Sequence, residues 1–264
     1  MKSITALPIT RAEKTAWAMN NVLTPAYVVT MVSEIDASGL ARLRSQIKDQ
    51  YGLAPSYTAL IIKAAGIVIK QNPEANRAIL GLPFLKKLFQ FKNIDIAVAV
   101  EKELPFLPGL AFAPVITDIE SKSCLDISKE MLFLKNCTVD NSAQFSQYMK
   151  ILKKVPAPIS NWLINLPYYF PTLWVKYRGC AVWVNAPSKA GVDMVLTSWP
   201  WPITFTFGLV KSRPTVVDGK VEARLTIPVT MAFDRRIMGG GPASRIFANF
   251  QEVLIHADKN KYFA

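Results

Sequence analysis

One histidine, three cysteines and only 19 acidic residues occur in 264 positions, and each scarcity excludes something. With His256 as the sole imidazole, hydrolytic zinc sites built on two or three histidines are ruled out, and no metal site is expected. Any histidine-based mechanism is confined to that one position. Cys124, Cys137 and Cys180 are odd in number and widely spaced, which argues against a disulfide framework and for reduced thiols in a cytosol. The opening stretch MKSITALPITRAEKTAW lacks the continuous apolar core of a signal peptide.

Against those acids stand 31 Lys+Arg, for a net charge of +12. They read as dispersed, in singles and in pairs such as Lys86–Lys87, Lys153–Lys154 and Arg235–Arg236. No basic stripe with interleaved aromatics and no nucleic-acid motif is present, so no nucleic-acid partner is expected. Plain solubility, an acidic partner or an anionic lipid surface all fit such a charge. Hydrophobic residues at 51% and charged residues at 19% exclude a disordered chain. The length suits one domain with a sizeable core.

Thr10 with Glu13 forms a capping box, so a helix is expected in the next dozen residues. Ala26–Glu34 is β-branched and strand-like. Asp36 is expected to cap a helix with Leu40, Leu43 and Ile47 on one face and Gly52 beyond its end. Ser56 or Thr58 opens a mostly apolar helix through Gln71. Residues 94–100 and 110–117 are expected strands, and Ser123–Lys135 a helix. Residues 136–180 are poorly patterned.

The C-terminal half is β-rich. Ile203, Phe205, Phe207 and Leu209 alternate, and an Asp218–Gly219 turn leads into a strand over Val221–Phe233. Pro228 inside that run predicts an edge or bulged strand. A last helix is expected from about Pro242, with His256 at its end as a solvated or dipole-pairing residue. Irregular alternation of helices and strands gives one α/β or α+β domain over 1–264 with a mixed sheet.

Residues 155–175, VPAPISNWLINLPYYFPTLWV, carry no charge but lie between Lys153–Lys154 and Lys176–Arg178. Pro156, Pro158, Pro167 and Pro171 forbid an unbroken spanning helix. Trp162, Tyr168, Tyr169 and Trp174 suit an apolar interface or core, or peripheral contact with a membrane surface.

Residues 217–254 read VDGKVEARLTIPVTMAFDRRIMGGGPASRIFANFQEVL. They resemble the end of the dihydrolipoyl acyltransferase core of 2-oxo acid dehydrogenase complexes, a family that shares its fold with chloramphenicol acetyltransferase. GLAFAPVITDIESKSCLDISKE at 109–130, IDIAVAV before it and PEANRAI at 73–79 also correspond, so the resemblance covers about residues 10–256. It implies a trimeric α+β two-layer sandwich and acyl transfer between thioesters and thiols. A stretch at about 149–178 is longer and more apolar than in those cores.

No lipoyl or peripheral-subunit-binding domain is expected before the core, so the resemblance implies no covalently bound cofactor. The acyl group would come from outside, on CoA or a carrier protein. The implied partners are two further copies of the chain and an acyl-carrier or enzyme partner.

In the family signature His-x-x-x-Asp-Gly, the histidine position is Arg235 here, the aspartate position Gly239 and the last glycine Gly240, while Asp234 and Arg236 match. The oxyanion-stabilising serine falls on Asn185, whose amide N–H can still donate to an oxyanion. A guanidinium cannot take a thiol proton near neutral pH. Arg235 is then either a structural arginine paired with Asp234 or another carboxylate, or part of an anion site with Arg236 in which Asp234 serves as base. Cys180 is a further candidate nucleophile, without an evident base. The resemblance thus implies a diverged acyltransferase that acts on or binds a thioester, in the cytoplasm. The alternative is a non-catalytic trimeric scaffold or partner-binding protein that associates with a membrane surface.

Overall fold

A computed structural model describes residues 28–82, 84–104, 107–186, 191–197 and 200–263. The helix expected after Thr10 lies outside the described residues. Six strands form the main path of a mixed sheet: β1 (Val28–Asp36), β4 (Ile96–Val98), β7 (Val115–Ile116), β8 (Val182–Asn185), β9 (Ile203–Phe207) and β11 (Lys220–Asp234). Their order is β1-β11-β9-β8-β4-β7, with β8 parallel to β4 and β9 and the other pairs antiparallel. A seventh strand, β10 (Lys211–Val217), pairs with the first half of β11, and the Asp218–Gly219 turn joins them.

Four helices cover one face, each with a readable local cause. In α1 (Ser38–Tyr51) the N-cap is Ala37. The Asp36 carboxylate sits one residue earlier than expected and accepts the Ser38 N–H at 2.6 Å. Gly52 ends the helix in the left-handed region at φ 72°. Ser56 caps α2 (Tyr57–Gln71) by accepting the Ala59 N–H, and every residue from Ala59 to Ile69 is buried. Lys63 is among them, and its ammonium donates to the carbonyls of Ile119, Glu120 and Lys122. A Ser123–Asp126 capping box opens α3 (Cys124–Asn136). Ala243, Ile246, Phe247, Phe250 and Leu254 of α7 (Gly240–Ile255) complete the core against Phe205, Met231 and Phe233.

Three expectations are corrected. β11 is not an edge strand, but Pro228, opposite Glu34 of β1, falls in the gap where β9 has ended, β10 has not begun and the register shifts by one residue. Its carbonyl accepts the Gly208 N–H just beyond the last β9–β11 pair, Phe207–Val229. A residue's N–H and C=O share one strand edge, so the missing donor points to where β9 has already ended and costs no ladder bond. The runs at 94–100 and 110–117 are shared among four strands. The chain breaks at Ala99 and Pro114, and β5 (Val100–Leu104) with β6 (Leu107–Phe112) forms a separate hairpin.

The third correction is the poorly patterned stretch, which folds as α4 (Ala143–Lys154), α5 (Ala157–Tyr169) and α6 (Pro171–Arg178). Its prolines fall at helix starts, except for Pro167 inside α5. Among the described residues no helix is long and apolar enough to cross a membrane.

The sheet's second face is covered by an aromatic cluster. Trp174, Trp183 and Trp201 pack with Ala78 and Leu80 of the hairpin β2 (Arg77–Leu80) and β3 (Lys87–Gln90). Trp183 and Trp201 stack with centroids 4.6 Å apart. The Gly81 N–H donates to the Tyr168 carbonyl at 2.8 Å, which fastens this hairpin to α5.

Candidate functional site

The signature turn joins the end of β11 to α7. The Ile237 N–H donates to the Asp234 carbonyl at 3.0 Å, closing a turn with Arg235 and Arg236 at its centre. Buried Ile237 and Met238 anchor its far side. Asp234 is a turn-favouring residue, and its carboxylate accepts the Arg236 backbone N–H at 2.9 Å. The Arg236 guanidinium grips the same carboxylate, Nε at 2.9 Å and 3.1 Å and Nη2 at 2.6 Å. The arginine paired with Asp234 is therefore Arg236, two residues away, and not Arg235. So held, the Asp234 carboxylate is engaged at both oxygens by its own turn.

Arg235 is exposed and, among the described residues, makes no hydrogen bond or ion pair. Gly239 is the N-cap of α7 at φ −75°, and no side chain caps that end. The turn thus presents one unengaged guanidinium beside a helix N-terminus, both of which favour anions.

Asn185 is not near this turn. It is the last residue of β8, level with Thr206 of β9, which is level with Thr230 of β11. Asp234 lies four residues farther along β11 and two strands across, about 13 Å by about 10 Å, or roughly 16 Å in all. Within one chain Arg235 and Asn185 occupy opposite ends of the sheet. His256 follows α7 at its far end, about 24 Å from the turn at helical rise. It is exposed and faces Glu252 at 3.4 Å.

Asp234 has a second neighbourhood that sequence reasoning missed. Its N–H donates to the Pro202 carbonyl, next to Trp201. The Arg178 guanidinium lies over three rings, 4.9 Å from the centroid of Trp201, 5.7 Å from Tyr168 and 5.8 Å from Trp174. It forms no ion pair among the described residues. Burial holds it below the ordinary arginine range, with Tyr168 opposing, and burial pushes the Tyr168 phenol up to about 12. The only sequence signal was an arginine ending an aromatic run.

Cys180 is buried, and burial pushes its thiol up to about 12; Cys124 is raised to about 11 for the same reason. A nucleophilic role for Cys180 is therefore not supported. The folded protein is expected to show no fast-reacting thiol towards a disulfide reagent at pH 8, with all three appearing in denaturant. One fast thiol in the native state would contradict this burial.

Residues 2–150 match the family of 2-oxoacid dehydrogenases acyltransferase (catalytic domain). The match ends where the apolar, proline-rich stretch begins. The dihydrolipoyllysine-residue acetyltransferase component of the pyruvate dehydrogenase complex from Mycoplasma capricolum subsp. capricolum is 24% identical, over 91% of this chain and 48% of its own length. The chain spans about half the length of the curated relatives it matches.

Among solved structures, a probable dihydrolipoamide acetyltransferase from Listeria monocytogenes 4b F2365 superposes with a TM-score of 0.70 at 20% identity, covering 99% of this chain and 98% of that one. A chloramphenicol acetyltransferase superposes at 0.50 and 12% identity, covering 94% and 96%. The fold is the one implied by the C-terminal signature. On the family match, over more than half its length, this chain belongs to the 2-oxoacid dehydrogenases acyltransferase (catalytic domain) family.

Proposed function

We propose that this protein is a diverged, trimeric member of its family that binds an acyl thioester, carried by CoA or a carrier protein, and lacks the family's proton acceptor. The observation that carries this reading is the unengaged Arg235 at the signature turn. A guanidinium beside an uncapped helix N-terminus suits the phosphates of CoA or a carrier's phosphopantetheine. The rough 16 Å between Asp234 and Asn185 supports a site completed by a neighbouring copy, since one chain cannot bring both ends to one thioester. The ribbon of β10 and the first half of β11 also exposes Val216 and Val221, which suits a subunit contact. Its own copies and an acyl-carrier or enzyme partner are the partners this reading implies, in the cytoplasm.

A second reading, a non-catalytic trimeric scaffold, draws on the grip of Arg236 on Asp234, which leaves the turn without a free base. Calorimetric titration with acetyl-CoA separates the two. Binding is expected, and Arg235→Ala should weaken it about tenfold or more, the usual effect of deleting a charge-assisted hydrogen bond. No binding by a trimeric wild type would leave the scaffold reading. A monomeric mass by light scattering would overturn both.

A further inference from the structure

The β2–β3 hairpin turns four apolar residues at and beside its loop into solvent. Phe84 is 104% exposed, Leu85 67%, Leu88 52% and Leu82 48%. Phe84 holds a left-handed backbone at φ 68°, a conformation that bulky residues seldom adopt. Lys86 and Lys87 follow Leu85 in the chain, and both are exposed. We propose that this hairpin is a shallow anchor that docks the protein on an anionic lipid bilayer.

Charge favours lipid over a protein partner. Residues 75–94, which contain the hairpin, hold four cations and no acid, and residues 141–192 hold six cations and no acid. The two segments touch, Leu80 lying against Trp174 and Gly81 bonding to Tyr168. Together they carry ten of the net +12. The basic surplus that reads as dispersed along the sequence thus falls largely in two segments that touch, although Lys189 of the second lies outside the described residues.

Size points the same way. Four apolar side chains on one hairpin fall short of the about 800 Å² per partner that a stable protein interface covers. Exposed apolar side chains next to lysines in the chain match what an interfacial anchor needs. In residues 155–175 the exposed aromatic surface is smaller than the sequence suggests. Trp174 is buried and Tyr168 partly so, which leaves Trp162 and Phe170 as exposed aromatics there.

Vesicle co-sedimentation of the full chain tests this, using phosphatidylcholine alone and phosphatidylcholine mixed with phosphatidylglycerol. Binding is expected only to the mixture and should fall as salt rises. Phe84→Asp should weaken it about tenfold or more, by removing buried apolar area and adding a repelled charge. Lys86→Glu with Lys87→Glu should do the same, at about fivefold for each cation lost. Circular dichroism and light scattering check that fold and mass are unchanged. Equal binding to both vesicle types, no binding to either, or wild-type binding by an intact Phe84→Asp protein would overturn the proposal. So would a changed oligomeric mass in that variant, which would make the hairpin a contact between copies. None of these outcomes depends on thioester binding.

Discussion

Arg235→His combined with Gly239→Asp is expected to raise acetyl transfer from acetyl-CoA to a small dithiol by about 10²–10⁴, the usual contribution of a positioned general base. Both positions can take the change. Arg235 is exposed, so an imidazole there displaces no packing. At Gly239 an added Cβ meets nothing closer than Pro242 Cδ at 4.0 Å, and φ of −75° suits any residue. Aspartate is also a favoured N-cap, so Gly239→Asp alone should raise stability by a few tenths of a kcal/mol without raising the rate. Thioester formation is followed by absorbance, beside a thermal melt of each variant. A well-folded, trimeric double variant with unchanged background rate would mean that the substrate path has been remodelled beyond these two positions.

Trp174→Ala is expected to cost about 3–5 kcal/mol, the range for truncating a large buried aromatic. Trp174 is 1% exposed, donates its indole N–H to the Cys180 carbonyl at 3.2 Å and meets Tyr168 edge to face at 5.1 Å. It joins α6 to the start of β8. At about 2–4 °C per kcal/mol, the melting temperature should fall by about 10 °C. Trp174→Phe keeps most of the bulk but orphans that carbonyl, so about 1–2 kcal/mol should be lost. Differential scanning calorimetry measures both. A shift under 2 °C for Trp174→Ala would show that α5 and α6 are only loosely attached to the sheet.

Local chemistry made much of the fold readable. Ser56, Ser123 and Gly52 mark helix ends because side-chain capping and left-handed glycine act over three or four residues. The alternation through β9 and β11 is a period-two pattern that needs no knowledge of partners. Long-range packing was not readable. Four prolines in 155–175 argued correctly against a spanning helix, but nothing local told which aromatics turn inward. Pro228 misled as to an edge strand because a rule about a missing donor depends on which neighbour that donor faces, and Gly208 ends β9 there.

The pairing within the signature turn was not legible in the sequence. Arg235 and Gly239 could be assigned from the signature, whereas the choice of Arg236 as the partner of Asp234 follows from the geometry of the turn. The wide separation of Asn185 from that turn follows from strand order, which spacing along the chain does not encode. The exposure of Phe84 was not legible, because which neighbours would cover it is set by long-range packing.

With ten of twelve surplus charges on two adjoining segments, the rest of the chain is nearly neutral. Such a molecule is an electrical dipole as well as a cation. In the field of an acidic surface it feels a torque as well as an attraction, and it rotates before it touches. The exposed Lys86 and Lys87 beside Phe84 favour the β2–β3 hairpin as the first contact, whether the surface belongs to a membrane, an acidic protein or a cation-exchange resin. Orientation is thus set during approach, at distances of about a Debye length, before any side chain makes contact.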